Sequence, residues 1–411
     1  MRYIVKPLRR HVMMPLLVVL QVALACAIAC NALFLLQQRL VPILTHDGID
    51  QADQLIVASG IVARGAPWSA ARLQSVQSEL GAIPGVTHAS TAGSIPMVTN
   101  VIMSGDVHGV GQRTKANVSM YVGDGLVNTL GLKLVAGRDF SEQETTSLGI
   151  GETLHGNGPT IISQALATQL FPAGDALGKQ IRIGDESEHP GMRTVVGVVA
   201  HLMRNQLGTD NRNDISYTML VPDHPDQWAV PLFAVRSGTA DVDRLIKTVK
   251  RTIQRELGPT SMQGIEPTVE TYASLRHRAL ARQRAGVWLL SGVCLVVLFV
   301  TLAGIMGLTG YWVQQRTRQI GVMRALGARR MDVLRDVQIE NLLVVGVGVV
   351  IGLLAAYGIN FWLMRHYELS RLPIAYLPWG ALLMLLLGQL AVLAPALRAA
   401  AVPPVVATRS A

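Results

Sequence analysis

Four apolar runs dominate the hydrophobic pattern: Val12–Leu36, Ala285–Val313, Ile339–Met364 and Tyr376–Leu397. Each is long enough for an α-helix to cross a hydrocarbon core, which takes about 20 residues. The long segment 37–284 is patterned differently. Trp68–Leu80 carries apolar residues at helical spacing and stops at Ile83-Pro84-Gly85. Val195–Val199 is a short β-branched run, Leu232–Arg236 alternates like a strand, and Val242–Leu257 reads as an amphipathic helix ended by Gly258-Pro259. Gly- and polar-rich stretches at Thr145–Pro159 and Gly184–Gly191 predict exposed loops, and an inserted subdomain over about 110–190. The pattern predicts a membrane protein with four transmembrane α-helices and a large α+β extracytoplasmic domain, with βαβ-like units, between helices 1 and 2. The expected divisions are 1–36, 37–284 and 285–411.

Composition sharpens this picture. Half of the 411 residues are hydrophobic and only 15% are charged, against about 25% in soluble chains. The net charge is +9, but the basic residues cluster beside apolar runs without interleaved aromatics, which speaks against nucleic acid as a partner. They orient the chain instead. Arg2, Lys6, Arg9 and Arg10 precede the first run, and Arg316, Arg318, Arg324, Arg329, Arg330 and Arg335 fill the loop between the second and third. Arg398 and Arg409 follow the fourth, whereas the loop between the third and fourth holds only Arg365 and Arg371. The positive-inside rule then puts both termini and the Arg-rich loop in the cytoplasm and 37–284 outside. A cleaved leader is the alternative for the first run, since Ala23-Leu24-Ala25-Cys26 resembles a lipoprotein box. The apolar run continues through Phe34-Leu35-Leu36, beyond the 7–15 residues of a signal core, which predicts an uncleaved span.

Within the runs, the amides of Gln21, Asn31, Asn341, Asn360 and Gln389 are expected to bond neighbouring helices. Gly304, Gly307 and Gly310, and Gly348 with Gly352, offer close-packing faces within one subunit or across a dimer. Cys26, Cys30 and Cys294 all lie in apolar runs and are expected to act as small buried side chains.

Signatures of catalysis are missing from the sequence. The histidines of 37–284 show no metal-ligand spacing such as His-Glu-x-x-His, and no Gly-x-Ser-x-Gly elbow occurs. Gly174-Asp175-Ala176-Leu177-Gly178-Lys179-Gln180 resembles a P-loop, but three residues separate its glycines and Gln180 stands where a Ser/Thr hydroxyl must hold magnesium. The reading is a non-enzyme with no cofactor or metal in the chain.

The most informative stretch is the Arg-rich loop. Ile320, Met323 and Leu326 recur at i, i+3 and i+6, predicting a short amphipathic helix that Gly327 ends. A second helical run, Met331–Val337, leads into the third span. A protein docking there could push both flanking spans; the plainer alternative is a loop held by anionic lipid.

Arg318-Gln319-Ile320-Gly321-Val322-Met323-Arg324-Ala325-Leu326-Gly327-Ala328 resembles the coupling helix of the MacB-like and FtsX-like ABC permeases. Pro395-Ala396-Leu397-Arg398-Ala399-Ala400 with Pro403 or Pro404 resembles their closing motif. Leu130-Gly131, Gly137-Arg138-Asp139-Phe140-Ser141, Phe171-Pro172, Leu177-Gly178-Lys179 and Val195–Val199 follow the order of their periplasmic core. The resemblance covers nearly the whole chain. It implies a dimeric permease of the bacterial inner membrane, made with a second copy or a paralogue. ATP and magnesium would be bound by a separate ABC ATPase subunit, and the ATPase-coupling residues would be Arg318, Gln319, Ile320, Gly321, Met323, Arg324, Ala325, Leu326 and Gly327. Export would involve a membrane fusion protein and an outer-membrane channel. An FtsX-like module that signals to an envelope hydrolase is the alternative, and a receptor-like sensor without an ATPase is a third. One departure stands out: Gln319 occupies a position where the family commonly has Glu.

Overall fold

The computed structural model describes residues 13–63, 67–98, 101–111, 114–148, 156–184, 191–205, 215–367 and 373–400. The basic N-terminal residues Arg2–Arg10, residues 149–155 of the Thr145–Pro159 loop, 185–190 of the Gly184–Gly191 loop, Arg371 and the segment from Pro403 to Arg409 lie outside the described residues. Two compact units emerge: Met1–Val41 with Gln283–Ala411, and Pro42–Arg282. In chain order the described α-helices are α1 (Met13–Leu44), α2 (Ala70–Gly81), α3 (Leu126–Leu130), α4 (Gln164–Leu170), α5 (Val242–Leu257), α6 (Tyr272–Ala279), α7 (Ala281–Gln315), α8 (Thr317–Ala325), α9 (Arg330–Tyr367) and α10 (Leu377–Ala400).

Among the described residues, four helical segments are long and apolar enough to cross a membrane, and they overlap α1, α7, α9 and α10. Each outruns its predicted span, because helical hydrogen bonding continues into polar turns such as Arg330–Gln338 that an apolar window ends at. Val22, Cys26 and Cys30 of α1 form a buried cluster with Val345 and Val349 of α9 and Val392 of α10. Glycines permit this approach: a Cβ at Gly352 would overlap the Ala23 backbone and Cys26, one at Gly348 would meet Val22, and one at Gly380 would strike Cys30. Three of the five amides bond across helices as expected, whereas Gln389 Nε2 is buried without a hydrogen-bond partner among the described residues. Gln21 Nε2 donates to the Val300 carbonyl (3.0 Å), Asn31 Nδ2 to that of Ala356 (3.2 Å) and Asn341 Nδ2 to that of Gly388 (3.1 Å). Helix α7 is the exception in packing. Thr301, Ile305 and Thr309 are its buried residues, while Trp288, Leu295 and Phe299 are exposed and Gly307 and Gly310 face open space.

The second unit holds two sheets. Strands β1 (Leu55–Ser59) and β2 (Val86–Ala92) join two late strands, β12 (Leu232–Ser237) and β13 (Thr268–Thr271), in the order β13-β1-β12-β2 with every pair antiparallel. With α2 and α5 this is a β-α-β-β-α-β, ferredoxin-like arrangement split between its second and third strands. The helices form as the sequence predicts. Ser69 caps α2 and Asp241 caps α5, each accepting from a first-turn N–H. Leu73, Val76 and Leu80 of α2 and Leu245, Val249 and Ile253 of α5 bury against Ile56, Ala58, Phe233 and Val235. Helix α2 starts two residues later than Trp68, which instead bridges Trp228 and donates its indole N–H to Thr260.

The split carries the second sheet: β3 (Ser104–Gly109), β4 (Lys115–Val122), β5 (Leu134–Gly137), β7 (Gly158–Ser163), β8 (Gln180–Ile183), β9 (Gly191–Val199) and β10 (Thr218–Val221). Their order is β5-β9-β7-β10-β4-β3-β8, and β8 also pairs with β9. Six strands therefore close into a ring, leaving no free edge there. A small pair, β6 (Thr146–Leu148) with β11 (Asp223–Pro225), flanks it. The inserted segment spans 104–221, wider than 110–190, and both ends of the predicted Thr145–Pro159 loop are strands. The short β3 and β10 carry too little alternation to stand out in sequence. The P-loop-like stretch is the turn that feeds β8: Gly174 and Gly178 adopt φ of +103° and +74°, and the Gly178 N–H donates to the Val195 carbonyl (2.8 Å). One ion pair is almost completely buried, Arg193 Nη2 to Asp223 Oδ2 at 3.1 Å, and Thr146 Oγ1 donates to the other carboxylate oxygen at 2.6 Å.

Candidate functional site

The loop singled out in the sequence is a helical hairpin inside the first unit. Helix α7 ends at Gln315, α8 turns across and α9 begins at Arg330. The turn out of α8 is a Schellman motif. Gly327 sits at φ +102°, the Ala328 N–H reaches back to the Met323 carbonyl (3.1 Å), and the Leu326 N–H bonds Val322 (3.0 Å). Nothing stands within 4 Å of a Cβ at Gly327, so glycine is required by the backbone conformation and not by space. Asp332 accepts the Arg329 N–H at 2.8 Å and starts α9.

The apolar stripe on α8 does not act as a single face. Ile320 is buried against Val333 and Val313, fastening α8 to both neighbours. Met323 and Val322 are half exposed, and Leu326 is 84% exposed. The cause is geometric: the Leu326 N–H still makes the helical bond to Val322, and six residues at 3.6 per turn set Leu326 about 120° around the helix from Ile320. Gly321 is buried and Gln319 exposed. Arg318, Arg324 and Ala325 belong to the α8 backbone, and their side chains lie outside the described residues.

Behind α8 opens a groove of about 310 Å³ lined by Trp312, Arg316, Gln319, Ile320, Met323, Asp336 and Glu340, among others. Its floor is an ion pair. Arg316 Nη1 donates to Glu340 Oε2 at 2.9 Å and to Oε1 at 3.3 Å. The Arg316 guanidinium also stacks over the Trp312 ring, 4.0 Å from its centroid. The Glu340 side chain is 9% exposed and that of Arg316 22%. The pair ties the residue that joins α7 to α8 onto α9. Among the described residues, then, the acid that meets Arg316 comes from α9, and Gln319 lines the same groove. Sequence reading missed Glu340. Its signal is a lone carboxylate at the start of an apolar run, costly there unless paired. No group of three or more His, Cys, Asp or Glu able to hold a metal occurs among the described residues.

The family model for the MacB-like periplasmic core domain matches residues 44–252, and that for the FtsX-like permease C-terminal matches 291–404. The chain belongs to the MacB-like, FtsX-like ABC permease family. It is a membrane protein with an extracytoplasmic α+β domain. This permease is 28% identical over 283 residues to the macrolide export ATP-binding/permease protein MacB of Marinobacter nauticus, covering 67% of this chain and 41% of that protein. The MacB protein of Chromobacterium violaceum is likewise 28% identical, covering 58% and 35%. The permease thus spans well under half the length of these curated relatives. The uncharacterized ABC transporter permease YvrN of Bacillus subtilis is 24% identical, covering 70% of this chain and 69% of that protein. Among solved structures, the extracellular domain of the noncanonic ABC-type transporter YknZ is similar to 52% of this chain over 99% of its own, at 16% identity and a TM-score of 0.34.

Proposed function

We propose that this permease is a non-catalytic ABC transporter subunit that receives ATP-driven motion at α8 and passes it to the extracytoplasmic domain to export a substrate. The carrying observation is the family match on both sides of a hairpin whose middle helix is fastened by Ile320 yet leaves Leu326 84% exposed. Val322, Met323, Leu326 and Met331 are exposed together around this turn, an apolar patch that suits contact with another protein. ATP and magnesium belong, in this reading, to an ABC ATPase on a separate chain, and the P-loop-like Gly174–Gln180 stretch is a turn feeding β8. The Arg-rich hairpin and both termini face the cytoplasm, the membrane is the bacterial inner membrane, and the permease pairs with a second copy or a paralogue. The unpacked face of α7, with Gly307 and Gly310 open, is consistent with pairing. A membrane fusion protein and an outer-membrane channel complete the export route. Macrolides, named for the MacB relatives, are the substrate class to assay first. The MacB-like outer domain favours export over the hydrolase-signalling alternative.

The test is reconstitution of the permease with its ATPase. Leu326→Glu is expected to abolish nucleotide-stimulated transport and ATPase association while membrane insertion persists. Unchanged association and transport would refute the coupling site. Orientation is checked separately: a cysteine at exposed Gln143 should react with a membrane-impermeant thiol reagent in intact cells, and labelling only after lysis would reverse the topology.

A further inference from the structure

A second built joint lies in the extracytoplasmic unit, where the chain leaves α1 and where it approaches α7. Asp47 stands three residues beyond the end of α1, and Arg276 lies in α6, which a single residue separates from α7. Arg276 Nε faces Asp47 Oδ2 at 3.0 Å, and Arg276 Nη2 donates to the Thr45 carbonyl at 2.9 Å. Asp47 is 3% exposed and Tyr272, one α6 turn before Arg276, is fully buried. The other Asp47 oxygen accepts the Ile49 N–H at 3.2 Å.

The joint has a third arm. The Asp47 backbone carbonyl accepts the Met203 N–H at 2.9 Å. Gly48 adopts φ +91°, and a Cβ there would overlap the His201 carbonyl, so the two backbones press together where only glycine fits. The 201–203 segment is in turn bolted to the closed ring of strands. Tyr121 of β4 donates its hydroxyl to the Met203 carbonyl at 2.6 Å, and Thr218 of β10 donates to that of Leu202 at 3.2 Å. An acid with so little access to water, placed where three segments meet, does more than close a loop. A surface hairpin would be as well served by a solvated turn, whereas burying a carboxylate is costly unless its partner holds position.

We infer that Asp47 and Arg276 are positioning residues that make relative movement of the α1 and α7 ends register in the inserted strand ring through Met203. This inference rests on the coupling reading above. A shift of α6 pulls on Asp47 through Arg276, and Asp47 carries it to 201–203 and on to β4 and β10. The linkage runs through one buried ion pair and a short chain of hydrogen bonds, so its parts move together or break together.

The test uses the full chain in lipid nanodiscs. Arg276→Ala removes a side chain that bonds neither Met203 nor Tyr121. It should nonetheless speed hydrogen exchange at the Met203 amide about tenfold or more, while the β1 and β12 amides keep parental rates. Asp47→Asn should act in the same direction, and Arg276→Lys, which keeps the charge, should fall between. Parental exchange at Met203 in all three variants overturns the joint. In the ATPase-bound permease, spin labels at Gln143 and Gln254 should change separation with ATP in the parent and not in Arg276→Lys. A parent without any nucleotide response overturns the coupling reading and this one with it. A parental response retained in full by Arg276→Lys and Asp47→Asn overturns the joint alone.

Discussion

The Arg316–Glu340 pair makes a prediction whose sign and order follow from exposure. Arg316→Ala leaves a carboxylate that is 9% exposed in a groove that Asp336 also lines, and breaking a buried pair this way costs about 4 kcal/mol. Glu340→Ala leaves a cation that is 22% exposed and still rests on Trp312. Water access and the ring together should hold that cost to about 2 kcal/mol. The ordering is the diagnostic: losing the arginine hurts more than losing the acid. Replacing both with Met keeps the volume, strands no charge and should cost about 1 kcal/mol or less. The assay is reversible unfolding of the purified full chain in mixed micelles by SDS titration, read by helical circular dichroism. The double-Met protein then separates stability from transmission, because it should fold like the parent yet transport poorly if the charge pair steers α9. Equal costs for both single variants, or costs below about 0.5 kcal/mol as for a solvated pair, would refute the reasoning.

Three further outcomes are expected. Gly48→Ala combines a left-handed backbone with an overlap on the His201 carbonyl and should destabilise the extracytoplasmic unit by about 3 kcal/mol in denaturant melts; a loss under 1 kcal/mol would mean the loop simply moves aside. Gly327→Ala meets open space, so its penalty is the backbone term of about 1–2 kcal/mol, seen as faster amide exchange at Leu326 and Ala328 with α9 unchanged. Glu144 accepts both Arg138 guanidinium nitrogens at 2.7 Å and the Ser141 N–H at 2.8 Å, which holds its carboxyl down from the ordinary 4.5 to about 2. A depressed acid stabilises the fold fully above its unfolded value, so that contribution should fade as pH drops from 4.5 towards 2, and Glu144→Gln should flatten that part of a pH-dependent melting series.

Much of the architecture was legible because its signals are local. Val242–Leu257 was bounded by its own apolar spacing and by Gly258-Pro259, and the structure places α5 on those same residues. The four apolar runs follow from the length of a hydrocarbon core. What sequence reading missed depends on partners far along the chain. The ring closes because β8 meets β9 as well as β3, and neither strand's composition encodes a second neighbour. The α8 stripe was read as one face, but successive steps of three residues drift by about 60° each around a 3.6-residue helix, which carries Leu326 away from Ile320. Glu340 became meaningful only once folding brought Arg316, 24 positions earlier, against it.

Helix α9 has a further consequence, since its 38 residues make a rod about 57 Å long, far more than a bilayer's hydrocarbon requires. Its ion-paired point, Glu340, lies about 15 Å from one end and about 40 Å from the other. If the rod rocks about that point, a nudge of 1 Å at the Arg330 end becomes a sweep of nearly 3 Å at the Tyr367 end. Gearing of this kind asks only a small stroke of whatever engine drives it, and it places the demand for rigidity on a single buried carboxylate.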